Sequence, residues 1–144
     1  MLFGKRERLI RRILIVEDEP LVAFDNEHLL GEAGYEVVAT VDNHAAALAV
    51  IAAEPLDLVL SDIALNGVGD GVDVARAARA KGIPVLFATG NCSPEAQSLA
   101  IGCLAKPYAG KVLLNALEAI DARLQGRSRR APRQLTLYAP AEEA

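Results

Sequence analysis

Short apolar runs alternate with longer amphipathic stretches, a pattern that predicts five strands with helices between them. The runs are unbroken, which is typical of strands buried on both faces. The amphipathic stretches end at turn signals such as Gly34, Pro55 and Gly82, and Asp42 or Asn43 is expected to cap the second helix. The predicted strands lie at 13–16, 36–41, 57–62, 84–90 and 103–105, and the predicted helices at about 20–33, 44–53, 71–81 and 112–124.

The pattern divides the chain into one domain with an extension at each end. Residues 12–125 contain all the predicted strands and helices, and we expect them to fold as one unit. Residues 1–11 form a basic N-terminal extension, and residues 126–144 are expected to be a disordered tail because Arg, Ser and Pro dominate there. The segment 91–102 leaves little room for a helix, so we expect it to be short or mobile.

The fivefold alternation of strand and helix predicts an α/β fold. Parallel strands joined by helical crossovers form a sheet that is covered on both faces. We therefore expect a doubly wound (βα)5 parallel sheet with strand order 2-1-3-4-5. Ligands of such sheets bind beyond the carboxyl ends of the strands, where the strand order reverses.

Composition and charge exclude several classes of protein. The chain of 144 residues is 52% hydrophobic, which is ample for a buried core, but it has no apolar run of the roughly 20 residues that a membrane span requires. Residues 13–120 carry five basic and fifteen acidic residues, a net charge of −10, which disfavours DNA as a partner. Cys92 and Cys103 lack CxxC spacing, so we expect a reduced, cytoplasmic protein without a disulfide framework.

Polar side chains follow four of the predicted strands, and their types suggest a shared site. Carboxylates that converge at one edge of a sheet repel one another unless a cation lies among them, and Mg²⁺ prefers such oxygen ligands. A metal together with a lysine and a hydroxyl can hold a phosphoryl group. Taken singly, the acids could only complement a helix dipole or cap a turn, and the threonine and lysine could be ordinary strand and loop residues. The residues concerned are Glu17, Asp18 and Glu19 after strand one, Asp62 at the end of strand three, Thr89 at the end of strand four and Lys106 after strand five.

Four segments carry a resemblance to a known family: the run from Ile13 to Pro20, the Asp62 strand, Phe87-Ala-Thr89-Gly90 and Lys106-Pro107. Together they resemble the receiver domain of two-component response regulators, which is CheY-like and flavodoxin-like in fold. The resemblance covers residues 12–125. It implies that Asp62 accepts a phosphoryl group from a histidine kinase or a histidine phosphotransfer protein.

The resemblance also implies a role for each residue near Asp62. Asp18 and Asp62 would bind Mg²⁺ directly, Glu17 through water, and Ala64 through its backbone carbonyl. Thr89 would donate a hydrogen bond to the phosphoryl oxygens and Lys106 would pair with them. The family pattern further implies a cis peptide bond before Pro107.

Two positions depart from the family pattern. Cys103 stands where many receivers carry an aromatic ring that moves on activation, and Asn66 stands where a proline is common. With Phe-Ala-Thr-Gly at 87–90, the sequence resembles the FAT GUY subgroup of alphaproteobacterial receivers, although that subgroup's Tyr is absent. The subgroup implies kinases of the HWE or HisKA2 type and a role in stress or light signalling.

Other functions fit the residues less well. A phosphatase of the haloacid dehalogenase type needs a second Asp where Ala64 stands, and no phosphate-binding glycine motif opens a helix. A pseudo-receiver that is never phosphorylated remains the alternative. We expect a monomer or weak homodimer that is not an enzyme beyond slow self-dephosphorylation. With no output domain expected after residue 125, it would signal by protein contact, as a phosphate sink or a feedback regulator of a kinase.

Overall fold

The computed structural model describes residues 7–63, 71–90, 92 and 97–139, which form one six-stranded sheet with helices on both faces. The strands are β1 (Arg12–Val16), β2 (Glu36–Val41), β3 (Leu58–Ser61), β4 (Val85–Thr89), β5 (Gly102–Ala105) and β6 (Leu135–Leu137). The helices are α1 (Pro20–Glu32), α2 (His44–Ala53), α3 (Gly71–Ala80) and α4 (Gly110–Leu124). None of these helices combines the length and the apolar character needed to cross a membrane.

The sheet has the strand order β2-β1-β3-β4-β5-β6. Its first five strands pair in parallel, which confirms the predicted doubly wound α/β fold and the order 2-1-3-4-5. Because β1 and β3 are neighbours, with Val16 opposite Ser61, the residues that follow these strands begin side by side.

Two apolar clusters, one on each face of the sheet, form the core. Successive side chains of a strand point to opposite faces, so β1 contributes to both clusters. Ile13 and Ile15 belong to one cluster together with Leu117 of α4. Leu14 and Val16 belong to the other, which is covered by α2 and α3. The four β1 residues are at most 1% exposed, which explains the unbroken apolar run.

Local signals place the helix ends close to the predicted positions. Pro20 occupies the first turn of α1, where its missing N–H has no helical partner to lose. Asn43 caps α2, with its side-chain oxygen accepting from the Ala46 N–H at 2.9 Å. Gly34 and Gly82 follow α1 and α3 with φ of 95° and 73°, a backbone conformation that favours glycine.

The expected disorder of residues 126–144 is wrong for the part that forms β6. This strand pairs antiparallel with β5, and the Tyr138 N–H donates to the Ile101 carbonyl at 3.0 Å. Leu135 and Tyr138 are only 7% and 8% exposed. The physical reason is that β5 would otherwise be an edge strand with unpaired backbone groups, which β6 satisfies. Residues 140–144 lie outside the described part of the chain.

The end of the basic N-terminal extension also packs on the domain. Ile10 is fully buried, and the Leu9 and Ile10 N–H groups donate to the carboxylate of Asp121 on α4, at 3.2 and 2.9 Å. Arg8 lies 4.3 Å over the ring of Tyr35. The structured domain therefore begins before residue 12. The first six residues are outside the described range.

The segment between β4 and β5 was expected to be short or mobile. Residues 91 and 93–96 of it lie outside the described residues. Its described part contains a single 3₁₀ turn near Gln97 and Ser98 and no α-helix.

Candidate functional site

Three carboxylates meet where β1 and β3 end. The Asp62 N–H donates to the Val16 carbonyl at 3.0 Å, which ties the end of β3 to the end of β1. Each of Glu17, Asp18 and Asp62 offers an oxygen, and these oxygens lie within 4.8 Å of one another. Glu17 and Asp62 are only 4% and 9% exposed, so water screens their mutual repulsion weakly.

Lys106, just after β5, supplies positive charge to this group. Its Nζ donates to Glu17 Oε1 at 2.6 Å and to Asp62 Oδ2 at 2.9 Å, and lies 3.9 Å from Glu19 Oε1. The lysine thus bridges acids that come from different strands. Glu19 is a partner that sequence reasoning placed only within the run of acids and gave no role.

Burial and ion pairing have opposite effects on the pKa values of Lys106 and Glu17. Burial alone would lower the pKa of Lys106, but its hydrogen bonds with Glu17 and Asp62 outweigh burial and raise that pKa above its ordinary value. Burial raises the pKa of Glu17, and the hydrogen bond from Lys106 offsets only part of this effect. Lys106 therefore stays protonated at neutral pH, and additional positive charge nearby would stabilise the ionised form of Glu17.

Thr89 and Lys106 come from adjacent strands and face the same cleft as Asp62. Thr89 ends β4, pairs with Ala105 across the ladder and is 8% exposed. The Lys106 N–H donates to the Thr89 carbonyl at 2.9 Å. Thr89, Lys106 and Asp62 line a cleft of about 940 Å³. The peptide bond between Lys106 and Pro107 is cis, as expected.

A wall of the cleft is formed by α1 and by the residue after Pro107. Asn26 of α1 donates from Nδ2 to the hydroxyl of Tyr108 at 3.1 Å, and burial raises the pKa of that phenol. Sequence reasoning missed both residues. Tyr108 could have been suspected from its place next to Lys106-Pro107, whereas the helical pattern of α1 gives no sign that Asn26, 6% exposed, faces inward.

Comparison with known proteins assigns this arrangement to a family. A family model for the response regulator receiver domain matches residues 13–118. The chain belongs to the response regulator receiver family. The receiver is 34% identical over 125 residues to the CAI-1 autoinducer sensor kinase/phosphatase CqsS of Vibrio cholerae, covering 80% of this chain and 18% of that protein. It spans 50–58% of the length of other curated relatives that it matches.

Solved receiver structures share the fold. The receiver domain of a modulated diguanylate cyclase from Desulfovibrio desulfuricans is 30% identical, with a TM-score of 0.70 over 81% of this chain and 97% of that one. The receiver domain of the sensor histidine kinase PA1611 from Pseudomonas aeruginosa is 27% identical, with a TM-score of 0.66 over 75% of this chain and 94% of that one. That structure has a magnesium ion coordinated in the active-site cleft.

The loop after Asp62 contains the remaining predicted ligand. Ala64 and Asn66 lie outside the described residues. The described chain resumes at Gly71, whose N–H donates to the Ile63 carbonyl at 2.8 Å. A Cβ at Gly71 would collide with the backbone oxygen of Asp62 and would lie 2.6 Å from the Ile63 Cα, so only glycine fits against the end of β3 here.

The two cysteines are bonded to each other, which corrects the expectation of reduced thiols. Cys92 and Cys103 form a disulfide with their Cα atoms 6.1 Å apart, within the usual range. Cys103 is fully buried on β5 opposite Phe87 of β4, and Cys92 is partly exposed. A sequence separation of 11 does not show that the chain after β4 turns back to β5, so the pairing could not be predicted from spacing.

Proposed function

We propose that this receiver accepts a phosphoryl group on Asp62 from a phosphohistidine of a histidine kinase or a histidine phosphotransfer protein. The observation that carries the proposal is the position of the Asp62 carboxylate. It lies in the acidic cluster with Glu17 and Asp18, and one of its oxygens is 2.9 Å from Lys106 Nζ. A carboxylate is a weak nucleophile, so it needs this charge compensation to attack an anionic phosphoryl group.

The transfer is an exchange of one bond for another. A carboxylate oxygen of Asp62 forms a bond to phosphorus as the P–N bond of the phosphohistidine breaks, and the departing imidazole keeps the electron pair and takes up a proton. The product is an aspartyl phosphate, which carries about −1.5 to −2 charges where the free carboxylate carries −1.

The acidic cluster fits Mg²⁺. Its three oxygens are hard donors within 4.8 Å of one another, and a lysine ammonium already lies against two of these acids. We assign Asp18 and Asp62 as direct ligands, Glu17 as a ligand through water and the backbone carbonyl of Ala64 as a further ligand. When bound, Mg²⁺ would neutralise charge on the phosphoryl oxygens and help to align them with Asp62.

Thr89 and Lys106 would bind the phosphoryl oxygens from the other side of the cleft. The Thr89 hydroxyl is the donor for one oxygen, and the ammonium of Lys106 pairs with another. Lys106 would exchange part of its pairing with Glu17 for pairing with the phosphoryl group. Both contacts strengthen as negative charge develops during transfer.

The surface beside the cleft supports docking of a protein donor. Leu21 and Phe24 on α1 are 79% and 68% exposed, although large apolar side chains are normally buried. Both lie on the helix that also contributes Asn26 to the cleft wall. An apolar face on a partner would bury them and bring its phosphohistidine to Asp62.

The resemblance to the FAT GUY subgroup leads us to propose a kinase of the HWE or HisKA2 type as the donor. The residue at the usual aromatic position is Cys103, which is small and bonded to Cys92, so no ring can swing there. We therefore propose output by direct protein contact, as a phosphate sink or as feedback on the kinase. Phosphotransfer profiling against candidate kinases tests this: if none of them donates to Asp62, the proposed partner class is wrong.

Intact-protein mass spectrometry with a small-molecule phosphodonor tests the central proposal. In the presence of Mg²⁺, wild type should gain one phosphoryl group, and Asp62→Asn should gain none. Asp57→Asn, at the opposite end of the same strand, is the matched control and should be phosphorylated like wild type. A pseudo-receiver would gain no phosphoryl group in any of the three proteins, and that result would overturn the proposal.

A further inference from the structure

The disulfide joins the two chain segments that carry Thr89 and Lys106. Cys92 comes three residues after Thr89, and Cys103 comes three residues before Lys106. Thr89 and Ala105 are also partners in the β4–β5 ladder. The chain is thus held to β5 at two points, at Thr89 by the ladder and at Cys92 by the disulfide.

The two cysteines differ in their access to solvent. Cys103 is fully buried in the cluster that contains Phe87 and Tyr138. Cys92 is partly exposed and packs against the same cluster from outside. A dissolved oxidant or reductant therefore reaches Cys92 first, whereas Cys103 reacts only with a group held next to it.

The domain has a sufficient apolar core without this disulfide. Disulfides that stabilise a fold are typical of small domains without a sufficient apolar interior. This domain has an apolar cluster on each face of a six-stranded sheet. A single disulfide that lies beside the functional site, with a partly exposed member, is more typical of a regulatory bond.

We propose that Cys92 and Cys103 form a reversible redox modification site that controls phosphoryl transfer at Asp62. The inference rests on the proposed function of Asp62. In the reduced protein the chain after Thr89 can adjust as the threonine hydroxyl moves to the phosphoryl group. In the oxidised protein the bond to β5 removes this freedom, so transfer is slower.

The oxidation balances with hydrogen peroxide as oxidant. The Cys92 thiolate attacks a peroxide oxygen, the O–O bond breaks, and Cys92 becomes a sulfenic acid as water leaves after protonation. The Cys103 sulfur then attacks the Cys92 sulfur, forming the S–S bond and releasing a second water. A dithiol reductant reverses the reaction by thiol–disulfide exchange and becomes a disulfide itself.

The test compares phosphorylation of the full chain in its two redox forms. Protein is reduced with dithiothreitol or oxidised with hydrogen peroxide, and the thiol content is verified by alkylation and intact mass. The rate of phosphorylation by phosphoramidate with Mg²⁺ is then measured. We expect the oxidised form to react about 10-fold more slowly, within the range usual for coupling between two sites.

Cys92→Ser is the matched control, because Cys92 is the partly exposed member of the pair. Its phosphorylation rate should equal that of reduced wild type, with and without peroxide. Failure of the disulfide to form in wild type would overturn the proposal. Equal rates in the two redox forms, or a faster oxidised form, would also overturn it while leaving the function of Asp62 intact.

Amide hydrogen exchange separates this inference from the proposed function. If neither redox form were phosphorylated, the role of Asp62 would be wrong, but exchange at the amides of Gly90 and Cys92 would still report the constraint. We expect slower exchange there in the oxidised form than in the reduced form. Identical exchange in both forms would contradict a redox effect on the Thr89 segment.

Discussion

The two halves of the proposed phosphoryl-transfer site are held by different parts of the sheet. Glu17 and Asp18 follow β1 and Asp62 follows β3, two neighbouring strands with buried side chains. Thr89 ends β4 and Lys106 follows β5, which are buried as well but are also linked to β6 and to the disulfide between Cys92 and Cys103. The two halves therefore share a buried sheet, and they differ in the additional links next to the half that would bind the phosphoryl group.

Removal of a metal ligand should have the largest effect and should affect only the first half. For Asp18→Asn we expect Mg²⁺ affinity to fall by at least about 100-fold, because even outer-shell partners of a metal contribute up to that factor. Isothermal titration calorimetry with Mg²⁺ measures this. Asp42→Asn changes an exposed acid after β2 and should bind Mg²⁺ like wild type; equal losses in both variants would contradict the assigned site.

Removal of Lys106 should affect the second half without loss of the metal. For Lys106→Ala we expect phosphorylation to slow by about 100-fold, since one donor to the developing charge is lost. Mg²⁺ should bind at least as tightly, because a competing cation has gone from Glu17 and Asp62. Stopped-flow phosphorylation and Mg²⁺ titration measure the two effects. Lys111→Ala is the exposed control; a parallel loss of Mg²⁺ binding in Lys106→Ala would remove the distinction between the halves.

The sequence predicts the candidate residues of both halves, but it does not predict the links around the second half. An unbroken apolar run that ends in acids, such as Ile13 to Glu19, predicts both a buried strand and a cation-binding site at its end. The site residues after β4 and β5 could also be read from their strands. The disulfide and β6 could not, because both depend on contacts between segments whose spacing has no fixed pattern, and Leu135-Thr-Leu is too short to distinguish from a tail.

A core substitution in β6 tests whether this strand belongs to the folded unit that supports the second half. Leu135 is 7% exposed in the cluster with Leu104 and Ile120. For Leu135→Ala we expect the free energy of unfolding to fall by about 3 kcal/mol, the usual loss for a buried leucine. Thr136→Ala, on the exposed face of the same strand, should change it by less than about 0.5 kcal/mol. Urea denaturation of both variants measures the difference, and equal small effects would mean that β6 contributes little.

The tyrosines provide the smallest test, and they report on three different parts of the fold. Burial raises the pKa of Tyr35, Tyr108 and Tyr138 above the ordinary value of 10.0. The folded state therefore holds the phenol protons more tightly than the unfolded state does. This contribution to stability is complete below pH 10 and is lost as the pH rises through the folded pKa values. Absorbance titration of the phenols should show native midpoints above that of the urea-unfolded chain; coincident midpoints would contradict the burial of all three rings.

The most direct test of the account is to locate the phosphoryl group on the chain. Protein phosphorylated with phosphoramidate and Mg²⁺ is trapped with borohydride, digested and sequenced by mass spectrometry. We expect one reduced residue, Asp62, in wild type, and none at Glu17, Asp18 or Glu19. Trapping at one of those neighbouring acids, or no trapping although Mg²⁺ is bound, would contradict the assignment of Asp62 as the phosphoryl acceptor.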